Sequence, residues 1–173
     1  MAGNACDRVG PGRLPWSDRR DIGGAITMAA NGLLVAGLWF GIVGWLIWSG
    51  RGGTDLAFYF GFGLFFLPGA ALATVIIGFL LWRYLYDASR PRTCGLVFGL
   101  LTGAGSLVTG ALWLGTLMTL LSVSRGYVGV IEGVGLGLLV TIFAMLFAFI
   151  AVGWILLPVY AVGGWYHERA RRE

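Results

Sequence analysis

The chain is poor in the residues that enzymes use for chemistry. Its 173 residues include no lysine, a single histidine (His167) and two cysteines, Cys6 and Cys94. A zinc, haem or iron–sulfur site needs more ligands than these supply. The sequence also shows no acid–base pair, nucleophile–base arrangement or phosphate-binding loop. We therefore expect no cofactor, no metal site and no catalytic residues.

Charged residues are scarce in this chain, and hydrophobic residues are abundant. Charged residues make up 12% of the chain, about half of the ~25% found in soluble domains. Hydrophobic residues make up 58%, and the mean hydropathy is +0.83. Each of four apolar runs is longer than the ~20 residues that a helix needs to cross a bilayer. The runs predict transmembrane helices at about 22–48, 56–82, 95–123 and 128–157.

The short connections between these runs indicate how the helices are arranged. Short loops place successive helices side by side and antiparallel. The sequence therefore predicts an all-α integral membrane protein, an up-down four-transmembrane-helix bundle within residues 22–166. A flexible cytoplasmic segment over 1–21 is expected before it. Pro158 is expected to bend or end the membrane part of the last helix, leaving 158–173 as an interfacial and basic C-terminal tail.

The arginines predict the orientation of the bundle, because positive charge accumulates in short cytoplasmic loops. Only Arg51 and Arg125 fall on one side of the predicted bundle, and the other ten fall on the opposite side: Arg8, Arg13, Arg19, Arg20, Arg83, Arg90, Arg92, Arg169, Arg171 and Arg172. Both termini are therefore expected in the cytoplasm, with the protein in the cell membrane. Aromatic residues mark the two predicted interfaces: Trp16, Trp82, Tyr84, Trp165 and Tyr166 the inner one, and Trp48, Tyr59 and Tyr127 the outer one. No basic patch is interleaved with stacking aromatics, so nucleic acid is not an expected partner.

Glycine forms the strongest internal pattern. Two consecutive predicted helices each carry glycine at every fourth position, a glycine zipper: Gly95, Gly99 and Gly103, then Gly129, Gly133 and Gly137. Small residues at this spacing let helix backbones approach closely in lipid. Two alternatives follow, namely packing of helices three and four on each other within one subunit, and contact with another subunit. Gly115 faces away from the first stripe and is expected to tolerate leucine better than Gly99 or Gly133.

Polar groups inside the predicted spans are few. Glu132 lies at the start of the fourth run, where it is interpreted as an interfacial acid, free or paired with Arg125, or else as part of an ion path. A line of hydroxyls on helix three falls within roughly 80° by the helical period: Thr102, Ser106, Thr109 and Thr116. These hydroxyls are interpreted either as packing groups or, together with Glu132, as the lining of a water-filled path.

Two classes of function agree with these features. The first is a non-catalytic multi-pass membrane protein, a subunit or accessory protein that associates through its glycine-rich helix faces. Its partners would be the lipid bilayer and either itself or another membrane protein. The alternative is a small oligomeric channel or transporter for an ion or small solute that uses Glu132 and the hydroxyl line.

Overall fold

The protein is built from helices throughout the part that the computed structural model describes, residues 19–85 and 93–172. We number the helices α1 (Arg20–Trp48), α2 (Thr54–Leu80), α3 (Cys94–Ser124), α4 (Val130–Ala148) and α5 (Trp154–Arg172). A π-helical turn at Leu81–Leu85 extends α2, and another at Phe149–Gly153 joins α4 to α5. Within the described ranges there are no strands. The predicted N-terminal segment 1–21 lies outside the described residues except for its last three.

The chain contains the four long apolar helices that the sequence predicts, because α4, the π-helical turn and α5 run on as one. These four helices are long and apolar enough to cross a membrane: Asp21–Trp48, Thr54–Leu85, Cys94–Ser124 and Val130–Arg169. Successive helices run in opposite directions, since Gly78 of α2 lies against Met28 of α1 and Gly44 lies near Phe60. We call the end with residues 49–53 and 125–129 the hairpin end, and the end with Arg19, Cys94 and His167 the terminal end.

Glycine ends two of the helices at the hairpin end. Gly50 and Gly126 have φ angles of 70° and 68°, in the left-handed region that other residues rarely adopt. Their N–H groups donate to Ile47 and Val123 carbonyls at 3.1 and 3.0 Å. These tight turns satisfy carbonyls at the ends of α1 and α3, and they bring the next helix back antiparallel within a few residues.

Helix α3 is the centre of the bundle. It packs against α2, α4 and α5, whereas α1 packs mainly against α2 and α5. Half of the most apolar stretch of α3 is buried inside the chain, compared with 22% or less in the other three spans. The first half of α3 therefore lies in a closed four-helix arrangement with α1, α2 and α5. Toward the hairpin end α4 replaces α5, and no extensive α1–α4 contact closes the ring in the described residues.

The glycine stripe at the start of α3 lies against α5. A Cβ atom at Gly99 would meet the main-chain carbonyl oxygen of Tyr160, and one at Gly95 would meet that of Gly164. From the other side, a Cβ at Gly164 would meet the Gly95 carbonyl. The two backbones thus touch directly, as small residues allow in helix pairs within lipid.

The second glycine set lies against the opposite half of α3. A Cβ at Gly137 would meet the Thr119 hydroxyl, and one at Gly133 would meet the Val123 side chain. Thr119 Oγ1 lies 3.0 Å from the Gly133 carbonyl oxygen across the interface and 3.1 Å from the Gly115 carbonyl oxygen of its own helix, so its one hydrogen is shared between the two acceptors. Helices α3 and α4 therefore pair through glycine on both sides, with one hydroxyl bonding across the interface.

Gly115 lies on a second covered face of α3. A Cβ there would meet the Thr141 hydroxyl and the Gly137 carbonyl of α4. Gly115 does face away from the Gly95 stripe, but α4 covers that face of α3, so the structure gives no reason for leucine to be tolerated better at Gly115 than at Gly99 or Gly133. Gly129 has no other helix near it, since it precedes α4 and only the Glu132 side chain lies within 4 Å.

The segment expected as a tail continues the last helix. Residues up to Arg172 belong to α5, and Pro158 lies inside that helix just after the π-helical turn. Both features are places at which helices change direction. Beyond Pro158, the side chains of Tyr160, His167 and Glu168 are buried, so this part of the chain is packed into the bundle.

Candidate functional site

A cleft forms where the ring of helices is open. Its volume is about 290 Å³, and it lies between α1 and α2 on one side and α3, α4 and α5 on the other. Almost all its lining is apolar, with aromatic rings toward the hairpin end: Trp39, Phe40, Tyr59, Phe62 and Phe147. Tyr59 stacks on Phe147 with ring centroids 4.5 Å apart, which bridges α2 and α4 across the opening.

Three hydroxyl-bearing side chains from α2, α3 and α5 also line this cleft: Thr74, Ser106 and Tyr160. We call these three the hydroxyl cluster. Tyr160 is 1% exposed, and its hydroxyl lies 3.0 Å from Thr74 Oγ1. Ser106 lines the same part of the cleft, and its hydroxyl donates to the Gly103 carbonyl at 2.8 Å. Gly32 of α1 leaves room for the phenol, since a Cβ at that position would crowd the Tyr160 hydroxyl.

Glu132 acts as a cap on a helix end. Its carboxylate Oε2 accepts a hydrogen bond from the Gly129 N–H at 3.2 Å, and the side chain is exposed. An acidic group in the first turn satisfies a free N–H and interacts favourably with the positive end of the helix dipole. Among the described residues, Glu132 forms no ion pair with Arg125, and the four hydroxyls of the predicted line bond main-chain carbonyls and not Glu132.

The hydroxyls of α3 are bonded within their own helix. Each donates to a main-chain carbonyl three or four residues earlier, at 2.8–2.9 Å: Thr102 to Phe98, Ser106 to Gly103, Thr109 to Gly105 and Thr116 to Leu112. Thr102 and Ser106 are buried, whereas Thr109 and Thr116 border a shallow groove between α2 and α3. The structure thus separates the predicted line into two surfaces and places Glu132 away from both.

A second cluster of buried side chains, which includes polar ones, lies at the terminal end. We call Thr27, Trp82, Phe98, His167 and Glu168 the terminal-end cluster. His167 Nδ1 lies 3.4 Å from Thr27 Oγ1, and its ring meets the Trp82 indole edge to face at 4.6 Å. Trp82, which the sequence predicts at the inner interface, is 2% exposed and packs inside the bundle. The Trp82 indole packs directly against Gly24, where a Cβ atom would overlap the ring.

Sequence reasoning missed the hydroxyl cluster and the terminal-end cluster for the same reason. Tyr160 and His167 follow Pro158, so the sequence assigns them to an interfacial tail. Tyrosine is common at membrane interfaces, so its presence there does not indicate a buried residue. Their partners Thr74 and Thr27 lie on other helices, far away in sequence. No spacing within a single run could reveal these pairs, because only the packing of α5 against α1 and α2 brings them together.

The described residues hold no group of histidine, cysteine or acidic side chains that could bind a metal ion. Cys94, at the start of α3, is a free thiol. Cys6 lies outside the described residues.

Comparisons of the chain with models of protein families, with curated proteins and with solved structures find no match. Its function is therefore inferred from its own residues.

Proposed function

We propose that this chain is a non-catalytic, four-span membrane protein that acts as a subunit or accessory protein by binding other components of the bilayer. One observation carries the proposal: the polar groups of the predicted ion path are used to hold helices. The α3 hydroxyls donate to their own main chain, and Glu132 caps α4. A channel or transporter needs polar groups directed at a continuous path, so this arrangement favours the subunit over the channel.

The surface that meets a partner differs from the glycine faces expected from the sequence. Five of the six predicted glycines lie against another helix of the same chain: Gly95, Gly99, Gly103, Gly133 and Gly137. A partner would therefore contact the large apolar side chains that remain exposed on the outside of the bundle. Leu33, Trp48 and Ile131 are among them.

Purification from native membranes tests the proposal. In a mild detergent, we expect the particle to have a protein mass above that of one 18.5 kDa chain, and mass spectrometry should identify the second component. A harsher detergent should reduce the mass to a single chain, which controls for detergent-bound mass. A single chain in mild detergent that also conducts ions in proteoliposomes would contradict the proposal and support the channel.

The proposed orientation places both termini in the cytoplasm, with the hairpin end outside. In a background with Cys6 and Cys94 changed to serine, we expect Gly53→Cys and Ser124→Cys to react with an impermeant thiol reagent on intact cells. Ser89→Cys and Thr93→Cys should react only after permeabilisation. Ser124 is preferred to Gly126, whose positive φ would strain a cysteine. The reverse labelling pattern would overturn the orientation.

A further inference from the structure

The shallow groove between α2 and α3 lies on the outside of the bundle. Its volume is about 340 Å³, and the exposed side chains of Leu72, Leu112 and Trp113 line it. Thr109 and Thr116 also border the groove, but each donates to a carbonyl of its own helix, at 2.9 and 2.8 Å, so neither hydroxyl needs a partner there. In the proposed membrane-spanning bundle, this apolar groove faces the acyl chains of the bilayer.

The groove continues into an exposed strip that leads to the terminal end of α2. Four exposed side chains recur at every fourth position of α2 and its π-helical turn, which places them on one face: Leu72, Ile76, Leu80 and Tyr84. Arg83 lies at the end of this strip. Its guanidinium carbon is 5.6 Å from the centroid of the Tyr84 ring and 5.4 Å from that of Phe79. The strip therefore connects an apolar groove to a positive charge.

Stacking holds the Arg83 guanidinium at the surface in a form that suits a phosphate. A guanidinium is planar, so an aromatic ring covers its face and leaves the N–H groups in its plane for hydrogen bonds. These N–H groups match the oxygen atoms of a phosphate, which arginine binds in a bidentate manner. Because Arg83 is exposed, a phosphate ester at the bilayer surface can reach it.

The depth of Arg83 fits the headgroup layer. The span Thr54–Leu85 has 32 residues, or about 48 Å of helix, whereas the hydrocarbon core is ~30 Å thick. The last turn of the span therefore lies beyond the hydrocarbon. From Arg83 to Leu72 the helix rises by about 16 Å, close to the ~15 Å depth of one leaflet. A lipid with its phosphate at Arg83 would thus place the end of an acyl chain in the groove.

Formal charge differs between the two ends of the bundle. The described part of the terminal end has six arginines and two acidic residues: Arg19, Arg20, Arg83, Arg169, Arg171 and Arg172, with Asp21 and Glu168. The hairpin end has Arg51 and Arg125 together with Asp55 and Glu132. The net formal charge is therefore +4 at the terminal end and zero at the hairpin end. Clustered arginines at a bilayer surface attract anionic lipids.

We propose that Arg83 and the α2–α3 groove bind an anionic phospholipid, with its phosphate on the Arg83 guanidinium and one acyl chain along the strip into the groove. A zwitterionic lipid brings an ammonium group to the same positive end, so it binds more weakly. The inference rests on the membrane-spanning part of the proposed function. It does not depend on the subunit role, because the site lies within a single chain.

Lipid binding to the purified full-length protein tests this site. Native mass spectrometry from detergent measures the apparent Kd of palmitoyl-oleoyl phosphatidylglycerol and of phosphatidylcholine with the same acyl chains. We expect phosphatidylglycerol to bind roughly fivefold more tightly or better, and Arg83→Gln to remove roughly fivefold of its affinity, as expected for one arginine at the surface. Binding of phosphatidylcholine should change by about twofold or less, because this lipid has no net charge.

Arg51→Gln is the matched control for the charge. Arg51 also lies over an aromatic ring, with its guanidinium carbon 5.5 Å from the centroid of Trp45, but it belongs to the hairpin end, where the net formal charge is zero. The affinity of Arg51→Gln for phosphatidylglycerol should equal that of the wild type.

Two tryptophan substitutions test the position of the acyl chain. Leu112→Trp places a larger side chain in the groove, and it should weaken both lipids alike, since their acyl chains are the same. Leu120→Trp is the matched control, because Leu120 is exposed on the same helix and does not line the groove. Its affinity for both lipids should equal that of the wild type.

Several results would overturn the proposal. Equal affinity of the wild type for the two lipids would mean that the site does not select an anionic headgroup. Equal effects of Arg83→Gln and Arg51→Gln would show that Arg83 does not hold the phosphate. Unchanged lipid binding in Leu112→Trp would exclude the acyl chain from the groove, and a dimer that Leu112→Trp dissociates would assign the groove to a second copy of the chain.

Competition with glycerol 3-phosphate at constant ionic strength distinguishes a lipid from a free phosphate ester. We expect no displacement of phosphatidylglycerol, and displacement would assign Arg83 to the soluble ester. Thermal unfolding shows whether each variant is folded, and the comparison of the two lipids on the wild type needs no variant. A negative result here would leave the mass and thiol-labelling tests of the proposed function unaffected, so the two proposals fail separately.

Discussion

Replacing Gly99 with alanine should destabilise the protein more than replacing Gly103 of the same stripe. Gly99 faces the main chain of α5, whereas Gly103 faces side chains. A Cβ at Gly99 would meet the carbonyl oxygen of Tyr160 and also crowd the Ala161 main chain. Main-chain atoms of a packed helix cannot rotate away, so α3 and α5 would have to separate. Overpacking usually costs about 1–3 kcal/mol, occasionally more, and we expect Gly99→Ala at or above the upper limit.

Gly103 and Gly41 provide a graded comparison for this prediction. A Cβ at Gly103 would lie 3.0 Å from Leu156 Cδ2 and 3.3 Å from both Leu157 Cδ2 and Tyr160 Cβ. The nearest of these atoms is the end of a flexible side chain, and none of the three belongs to the main chain. Gly103→Ala should therefore cost less than Gly99→Ala. Gly41 has no atom within 4 Å of such a Cβ, and Gly41→Ala should be close to neutral.

The measurement is the midpoint of thermal unfolding in detergent, which shifts by roughly 2–4 °C per kcal/mol for a chain of this length. The expected order of destabilisation is Gly99→Ala, then Gly103→Ala, then Gly41→Ala. Equal midpoints for Gly99→Ala and Gly41→Ala would mean that the close approach of α3 to α5 does not exist.

The helices themselves could be predicted from the sequence. The predicted span 22–48 corresponds to α1 at Arg20–Trp48, and 95–123 corresponds to α3 at Cys94–Ser124. An apolar run is a local property, because every residue in a span faces either lipid or another apolar surface. For these two runs the length and the flanking turns predict the ends without knowledge of the neighbouring helices. The fourth run does not behave in this way, because the helix predicted over 128–157 continues to Arg172.

The partners of each helix could not be predicted in the same way. A helical wheel gives the direction of Gly95 or Gly115 on α3, but it does not say which helix lies in that direction. Because α3 has α2, α4 and α5 around it, small residues are needed on more than one face. A single glycine stripe therefore describes only one of the packed faces of α3, and the sequence does not show that α4 covers the face that carries Gly115.

The candidate site was harder still, because it combines groups from different helices. Thr74 and Tyr160 form their hydrogen bond across 86 residues of sequence. The sequence places Ser106 among the hydroxyls of helix three, but its position beside Tyr160 depends on how α5 packs against α3. The cleft is open on one side because α1 packs against α5 and makes no extensive contact with α4 in the described residues. No pattern within a single helix predicts that arrangement.

Replacing Gly115 with leucine should prevent α3 and α4 from pairing. A helical wheel that considers only the stripe of Gly95, Gly99 and Gly103 predicts the opposite, namely that leucine is tolerated at Gly115. A Cβ at this position would meet the Thr141 hydroxyl and the main-chain carbonyl of Gly137, and leucine adds three further carbon atoms. The expected result is a large loss of folded, monodisperse protein in size-exclusion chromatography, with the remainder unfolding at a lower temperature. Displacement of α4 would also break the 3.0 Å bond from Thr119 to the Gly133 carbonyl.

Two further variants separate this contact from a general intolerance of leucine for glycine. Gly135→Leu is the matched control, since Gly135 is exposed on α4 and has no atom within 4 Å of a Cβ; it should yield protein as the wild type does. Thr141→Ala removes the side chain nearest to Gly115 but leaves the Gly137 carbonyl in place, so it should not restore Gly115→Leu. Normal yield and stability of Gly115→Leu would show that α4 does not approach α3 at this glycine. Full rescue by Thr141→Ala would show that the contact is with the side chain alone, and that the two backbones are farther apart than the structure places them.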